Sequence, residues 1–336
     1  MRSVPLGDTG IAVSAVAFGA GPIPELMTAE SQPRQRATVE QALAAGINWF
    51  DTAATYGMGR SEESLGRVLA ELDAAGDVHV ATKVRLMPPQ LDDIAGHVET
   101  SLMESLARLR VERVTLLQLH NSVTGRRGEE PTSITPADVL GSGGVLQAAE
   151  RLREKGLVGH LGLTGIGQPT ALREVIASGR FATIQVPYNL LNPSAGSVLP
   201  SDFPETNYGN VIDACAQQRM GVLAIRVYAG GAIVGQPPAP HTFRTPFFPL
   251  DLFRRDVIRA QRLAATVAGR LPLAELALRY VVGHPQIDSA IVGFSSPAQV
   301  VQAVSCLDAG PLAEPLLQQL EGAWRIPPES GDAASD

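Results

Sequence analysis

Short runs of β-branched and aliphatic residues alternate along this chain with longer stretches in which apolar residues return every three or four positions. Eight of the short runs read as strands: Val16 to Gly19, Ile47 to Asp51, Val78 to Val84, Val114 to His120, Gly159 to Thr164, Ala182 to Pro187, Gly221 to Arg226 and Ile287 to Val292. Between them lie helical patterns with recognisable boundaries. Ser31 and Pro33 open one that closes at Gly46, Thr135-Pro136 opens another, and Ile94, Val98, Leu102, Leu106 and Leu109 mark a third with a single apolar face. Strands that alternate with helices predict successive βα units and a parallel sheet, and eight alternations fit a closed barrel better than an open sheet.

Val4 to Leu6 and Ile11 to Ser14 flank Gly7-Asp8-Thr9-Gly10, the pattern of a hairpin over the barrel floor. The expected architecture is α/β: a (β/α)8 TIM barrel with an N-terminal β-hairpin cap. It occupies residues 1–326 as one catalytic domain, followed by a flexible acidic tail at 327–336. Three connections, Asn121 to Pro136, Tyr188 to Thr206 and Val227 to Leu250, are too long for turns. Each follows a strand, so each belongs to the face where barrels build their sites.

A length of 336 residues is compatible with one barrel domain, and 45% hydrophobic against 18% charged residues is ordinary for a soluble enzyme. The net charge of −7 excludes a general nucleic-acid surface, which needs a basic field. No apolar run reaches the ~18 residues of a spanning helix and no signal-peptide pattern opens the chain, so the expected location is cytoplasmic, without membrane attachment. Cys215 and Cys306 sit far apart in apolar helical patterns and read as reduced core residues. His79, His97, His160, His241 and His284 have no paired spacing, so no metal is predicted and a metal-dependent hydrolase is disfavoured. Lys83 and Lys155 are the only lysines in a chain that otherwise uses arginine.

Four reactive side chains fall at or just beyond the ends of consecutive predicted strands: Asp51 and Tyr56, then Lys83, then His120. Singly, each has a structural explanation as a turn, rim or strand-end residue. Together they form a chemical set. A tyrosine hydroxyl, with a pKa near ~10, is a poor proton donor at neutral pH unless a neighbouring ammonium favours its phenolate. Lys83 can supply that charge, Asp51 can hold Lys83 protonated, and His120 can orient a carbonyl oxygen. The set lacks an activated serine or cysteine, so acyl transfer is not its natural use.

Several motifs carry a resemblance. They are Ile47-Asn48-Trp49-Phe50-Asp51-Thr52-Ala53 with Tyr56-Gly57, Ala81-Thr82-Lys83, and Leu117-Gln118-Leu119-His120, joined by Leu6-Gly7 with Thr9-Gly10 and by Ile291-Val292-Gly293. On these the chain resembles the aldo-keto reductase family from residue 3 to about residue 304. The resemblance implies a nicotinamide dinucleotide extended over the barrel mouth, Tyr56 as general acid assisted by Lys83 and Asp51, and His120 positioning a small-molecule carbonyl substrate, an aldehyde or ketone, sugars included. It implies cofactor contacts from Thr164, where many members have Ser-Asn, from Gln185 to the carboxamide, and from Tyr188 as the ring stacked on the nicotinamide. Gly293, Ser295 and Gln299 fall in the stretch after the eighth strand.

Arg226 stands where the family commonly has a Pro-Leu pair, and it either binds phosphate or pairs with an acid elsewhere. NADP(H) is the family default. The run from Gly293 to Gln299, followed by Gln302 and Ala303, holds no cation for an adenosine 2′-phosphate, so NAD(H) is expected to be usable. Tyr208, Phe243, Phe247 and Phe248 are candidate pocket aromatics. The rival readings are a nucleotide-binding regulatory or sensor protein with slow turnover, and the same chemistry run as an alcohol or aldose dehydrogenase.

Overall fold

The computed structural model describes residues 1–29, 31–267 and 271–324; the predicted tail at 327–336 lies outside the described residues. A hairpin of β1 (Ser3–Pro5) and β2 (Ala12–Ser14) precedes eight parallel strands: β3 (Val16–Gly19), β4 (Trp49–Asp51), β5 (His79–Val84), β6 (Val114–Leu119), β7 (Val158–Thr164), β8 (Thr183–Pro187), β9 (Gly221–Ile225) and β10 (Ser289–Gly293). They pair in chain order, and β10 returns to β3, closing the barrel. Helices including Gln32–Ala44, Arg60–Glu71, Ile94–Leu109 and Val145–Glu154 lie between strands. No described helix is long and apolar enough to cross a membrane.

Two of the predicted strands start two residues late. Asn48 turns its amide to the hairpin, accepting from the Ser14 backbone N–H at 2.8 Å and donating to the Ala12 carbonyl at 2.8 Å, so the ladder begins at Trp49. Ile287 closes a turn on His284 before β10 begins. Both segments are hydrophobic enough to look like strand while their backbone hydrogen bonds go elsewhere.

Strand residues alternate between the helices and the barrel interior. Phe18, Phe50, Val80, Leu117, Leu163, Ile184, Val222 and Val292 face outward into the main core under the helices. Ala17, Trp49, Ala81, Leu116, Leu223 and Ile291 fill the lower interior together with Leu6 and Val13 of the hairpin. Leu6 plugs the floor. Gly7 makes this possible: its φ is +48°, and a Cβ there would fall 2.3 Å from the Gly221 nitrogen. One period of two above Trp49, Ala81 and Leu116, the same parity delivers Asp51, Lys83 and Gln118 to the upper interior. Thr183 and Gln185 follow the same spacing on β8.

Candidate active site

The upper interior layer is polar and almost dry. Lys83 is 1% exposed and Asp51 3% exposed. The Lys83 ammonium donates to Asp51 Oδ1 at 2.5 Å, to the Thr52 carbonyl at 2.7 Å and to the Tyr56 hydroxyl at 3.4 Å. Its Nζ also lies 4.8 Å from the centre of the Tyr56 ring. Burial pushes this ammonium towards neutrality, but the charge and hydrogen bond of Asp51, with Tyr56 beside it, outweigh burial, and its pKa is raised. Asp51 thus favours the charged form of Lys83 beside the phenol oxygen.

Asp51 is held from two further sides. Gln118 Nε2 donates to its Oδ2 at 3.1 Å and Gln185 Nε2 does so at 2.5 Å. Gln118 is fully buried and stands directly opposite Lys83 in the β5–β6 register. Sequence reasoning passed over it, although its spacing of two from His120 on one strand was the available signal. Gln185 was expected on a nicotinamide carboxamide. In the structure its amide nitrogen faces the Asp51 carboxylate, because β8 places it in the same interior layer.

Tyr56 and His120 meet edge to face, ring centres 5.6 Å apart at 84°. Tyr56 lies in the loop after β4, where the Thr52 backbone N–H binds the Ala81 carbonyl and the Tyr56 N–H binds the Ala53 carbonyl. His120 follows β6 directly, its backbone N–H on the Val84 carbonyl at 2.8 Å. Burial, reinforced by the cations of Arg85 and Lys83, holds the His120 imidazole well below its usual 6.5. It is a neutral ring at physiological pH, with Nδ1 3.3 Å from the Thr55 hydroxyl and Nε2 available as a donor if Nδ1 accepts. Asp51, Tyr56, Lys83 and His120 thus stand together. The arrangement offers one hydroxyl backed by a cation, beside one neutral imidazole.

On the opposite side of the mouth the predicted cofactor contacts Tyr188 and Arg226 have partners within the protein. Tyr188 is 2% exposed, stacked on Tyr280 at 5.4 Å with its hydroxyl donating to that of Tyr280 at 2.8 Å. It forms part of the wall between β8 and the helix Leu273–Val282, with the His284 ring edge-on at 5.2 Å. Arg226 takes the acid-pairing alternative: its guanidinium lies 3.7 Å from Asp256 and 4.0 Å from the centre of the Phe248 ring. Arg226 and Ala229 have φ of +60° and +50°, ahead of Gly230 and Gly231 at +71° and +103°, so the chain leaves β9 through a left-handed run.

After β10, the Ser295 N–H and hydroxyl both donate to Gln299 Oε1, at 2.7 and 3.0 Å, while the Ser296 hydroxyl caps the helix Pro297–Leu307. Gly293 serves close packing: a Cβ there would fall 2.3 Å from the Ile23 carbonyl oxygen. Thr164, expected to face the cofactor, retains an open demand. Its hydroxyl is buried with no hydrogen-bond partner, and Thr164 stands opposite Gln185 in the β7–β8 register. A buried hydroxyl in that state costs about 1–3 kcal/mol, and a carboxamide is a group that would satisfy it. The mouth therefore fits a nicotinamide at this point.

Of the loop aromatics, Phe247 covers the Arg85 guanidinium at 4.8 Å and Phe248 covers Arg226, while Tyr208 is buried and Phe243 is 61% exposed. The two phenylalanines tie the connection after β9 to arginines at the ends of β5 and β9. Arg85, also unnoticed in the sequence, stands two residues after Lys83 and donates to the His120 carbonyl oxygen.

A model of the Aldo/keto reductase family matches residues 15–325. The chain is 28% identical to L-galactose dehydrogenase of Arabidopsis thaliana over 94% of this chain and 92% of that protein. It is also 28% identical to D-threo-aldose 1-dehydrogenase of a Pseudomonas species, over 87% and 89%. The solved holo form of an aldo-keto reductase from Bacillus halodurans shares the fold, with a TM-score of 0.72 at 21% identity over 96% of each chain.

Proposed function

The chain belongs to the aldo/keto reductase family, a family of NAD(P)H-dependent oxidoreductases, and from that premise we propose that Tyr56 is the proton donor of a carbonyl reduction served by Lys83, Asp51 and His120. The carrying observation is the buried Lys83 ammonium set between the Asp51 carboxylate at 2.5 Å and the Tyr56 hydroxyl at 3.4 Å. When bound, the nicotinamide supplies the hydride in reduction and accepts it in oxidation. The chain's own part is the proton. Neutral His120 donates from Nε2 to the carbonyl oxygen and fixes its position, and Tyr56 passes its hydroxyl proton to that oxygen as the carbon becomes saturated. Lys83 stabilises the phenolate left behind, and Asp51, held by Gln118 and Gln185, keeps Lys83 in place.

On the cofactor side, Thr164 would hold the carboxamide, and the left-handed run around Gly230 and Gly231 would allow close backbone approach to the phosphates. NADP(H) and NAD(H) are both expected to serve. No lysine or arginine lies between Gly293 and Ala303, and the Ser295 donors already have Gln299 as partner.

Substrates are aldehydes, ketones or sugars. The names of two relatives, an L-galactose and a D-threo-aldose dehydrogenase, favour the second direction, oxidation of an aldose with Tyr56 as the base. Nicotinamide oxidation and reduction, followed by absorbance over a panel of aldehydes, ketones, aldoses and alcohols, tests the proposal. Turnover of at least one class is expected. Tight nucleotide binding without turnover of any would instead support a sensor.

A further inference from the structure

Two arginines stand at the barrel mouth under consecutive phenylalanines of one loop, Arg85 under Phe247 and Arg226 under Phe248. Their charges are treated differently. Arg226 has the buried Asp256 carboxylate at 3.7 Å. Arg85, among the described residues, pairs with no carboxylate. Its Nε and Nη2 lie 3.4 and 3.2 Å from one backbone oxygen, that of His120, and its Nη1 makes no hydrogen bond. Of the other half-buried arginines of this acidic chain, Arg67, Arg108 and Arg259 face carboxylates, as does the buried Arg279; Arg173 faces none but lies away from the mouth, bonding the Gly209 and Asn210 carbonyl oxygens.

An unmatched, half-buried guanidinium is unfavourable, and burial does push the Arg85 pKa down. Phe247 shields one face of the guanidinium and leaves its in-plane N–H edge, the edge that matches an oxyanion bidentately. The position is that of the reacting group. Arg85 bonds the backbone of His120, its charge is felt by the His120 ring, and the Tyr56 phenol acts on it in turn. The other ionisable groups that face this corner through His241 are Arg244 and Glu25.

We infer that Arg85 is a specificity residue that binds an acidic oxyanion, a carboxylate or a phosphate, carried by the carbonyl substrate a few atoms from the reacting carbon. The inference deepens the proposed carbonyl chemistry and rests on it. A neutral aldehyde would leave the charge of Arg85 unmatched. An acidic one would complete it and place its carbonyl under Tyr56 and His120.

The test compares matched pairs in the whole protein with its better nucleotide: succinic semialdehyde against butanal for carboxylate, and glyceraldehyde 3-phosphate against glyceraldehyde for phosphate. The expected result is at least a tenfold higher kcat/KM for the acidic member of one pair, arising mainly in KM; the pair that shows it identifies the oxyanion. In Arg85→Gln that ratio should collapse towards one, and Arg85→Lys should recover part of it. The wild-type protein gives an independent check, because raising the salt concentration should raise KM for the acidic substrate and leave that of the neutral one in place. Butanal or glyceraldehyde turned over with no preference for the acidic partner, or a preference unchanged in Arg85→Gln, would overturn the inference and leave the carbonyl chemistry standing. Absence of turnover for every member of both pairs and of the wider panel would overturn both.

Discussion

The mouth of this barrel has two halves that were built differently. From β4 to β6, chemistry sits on strands or within a few residues of their ends, and Asp51, Lys83 and Gln118 interlock in one dry layer. From β8 to β10, the predicted contacts other than Gln185 and Gly293 sit beyond strand ends, and the structure gives them partners within the protein: Arg226 has Asp256, Ser295 has Gln299 and Tyr188 has Tyr280. Strand parity fixes where a side chain points to within one choice of two. A loop residue such as Arg226, leaving the sheet at φ +60°, carries no such constraint.

The comparison can be broken first at its charged centre. Lys83→Met removes the cation beside Tyr56 and strands the Asp51 carboxylate in a dry interior. Turnover should fall by about 10²-fold or more, and stability by about 3–5 kcal/mol. Stopped-assay rates and denaturant unfolding read the two effects, and a fully active Lys83→Met protein would reduce Lys83 to a structural residue.

The second half is tested by cofactor choice. With no lysine or arginine between Gly293 and Ala303, kcat/KM for NADPH and NADH should lie within about a hundredfold, since each charge-assisted bond contributes roughly 1.5–3 kcal/mol. A preference above roughly a thousandfold, measured at fixed salt, would mean that another loop supplies a cation.

Gln185 decides where the boundary between the halves lies. Gln185→Leu removes a hydrogen bond to a buried carboxylate, worth about 1.5–3 kcal/mol, so unfolding stability and kcat should suffer while KM for the nucleotide changes little. A large rise in nucleotide KM with normal stability would return Gln185 to the cofactor side, where its sequence context had put it.

The smallest effect is on stability against pH. His120, and with it His79, His160, His241 and His284, titrate below 6.5 in the folded chain because burial disfavours their charge. Unfolded imidazoles take up protons near 6.5 that the folded ones refuse, so stability is present above that pH and is lost as pH falls through it. Asp256, raised to about 6 by burial, acts in the opposite sense and only below about 6. Calorimetric Tm should therefore decline between pH 7.5 and 6. A flat or rising profile would show that these imidazoles are not desolvated.

The barrel was legible because its evidence is periodic. All eight strands and the hairpin stand where alternating runs placed them, with the starts predicted at Ile47 and Ile287 displaced by side-chain and turn hydrogen bonds that hydrophobicity does not report. The grouping of Asp51, Tyr56, Lys83 and His120 was legible because consecutive parallel strands are neighbours. Gln118 and Arg85 were missed as polar residues beside more conspicuous ones. Tyr188 was less legible because a motif names a residue and not the face it turns to: its ring packs on Tyr280 from a loop that begins where β8 ends.

The central claim is that the proton comes from Tyr56. Tyr56→Phe keeps the ring against His120 and removes only the hydroxyl that meets Lys83. Single-turnover nicotinamide oxidation with the best carbonyl of the panel, alongside fluorescence titration of the nucleotide, should show the rate down by about 10²-fold or more with nucleotide Kd within a few-fold of wild type. A near-wild-type rate in Tyr56→Phe would contradict the account.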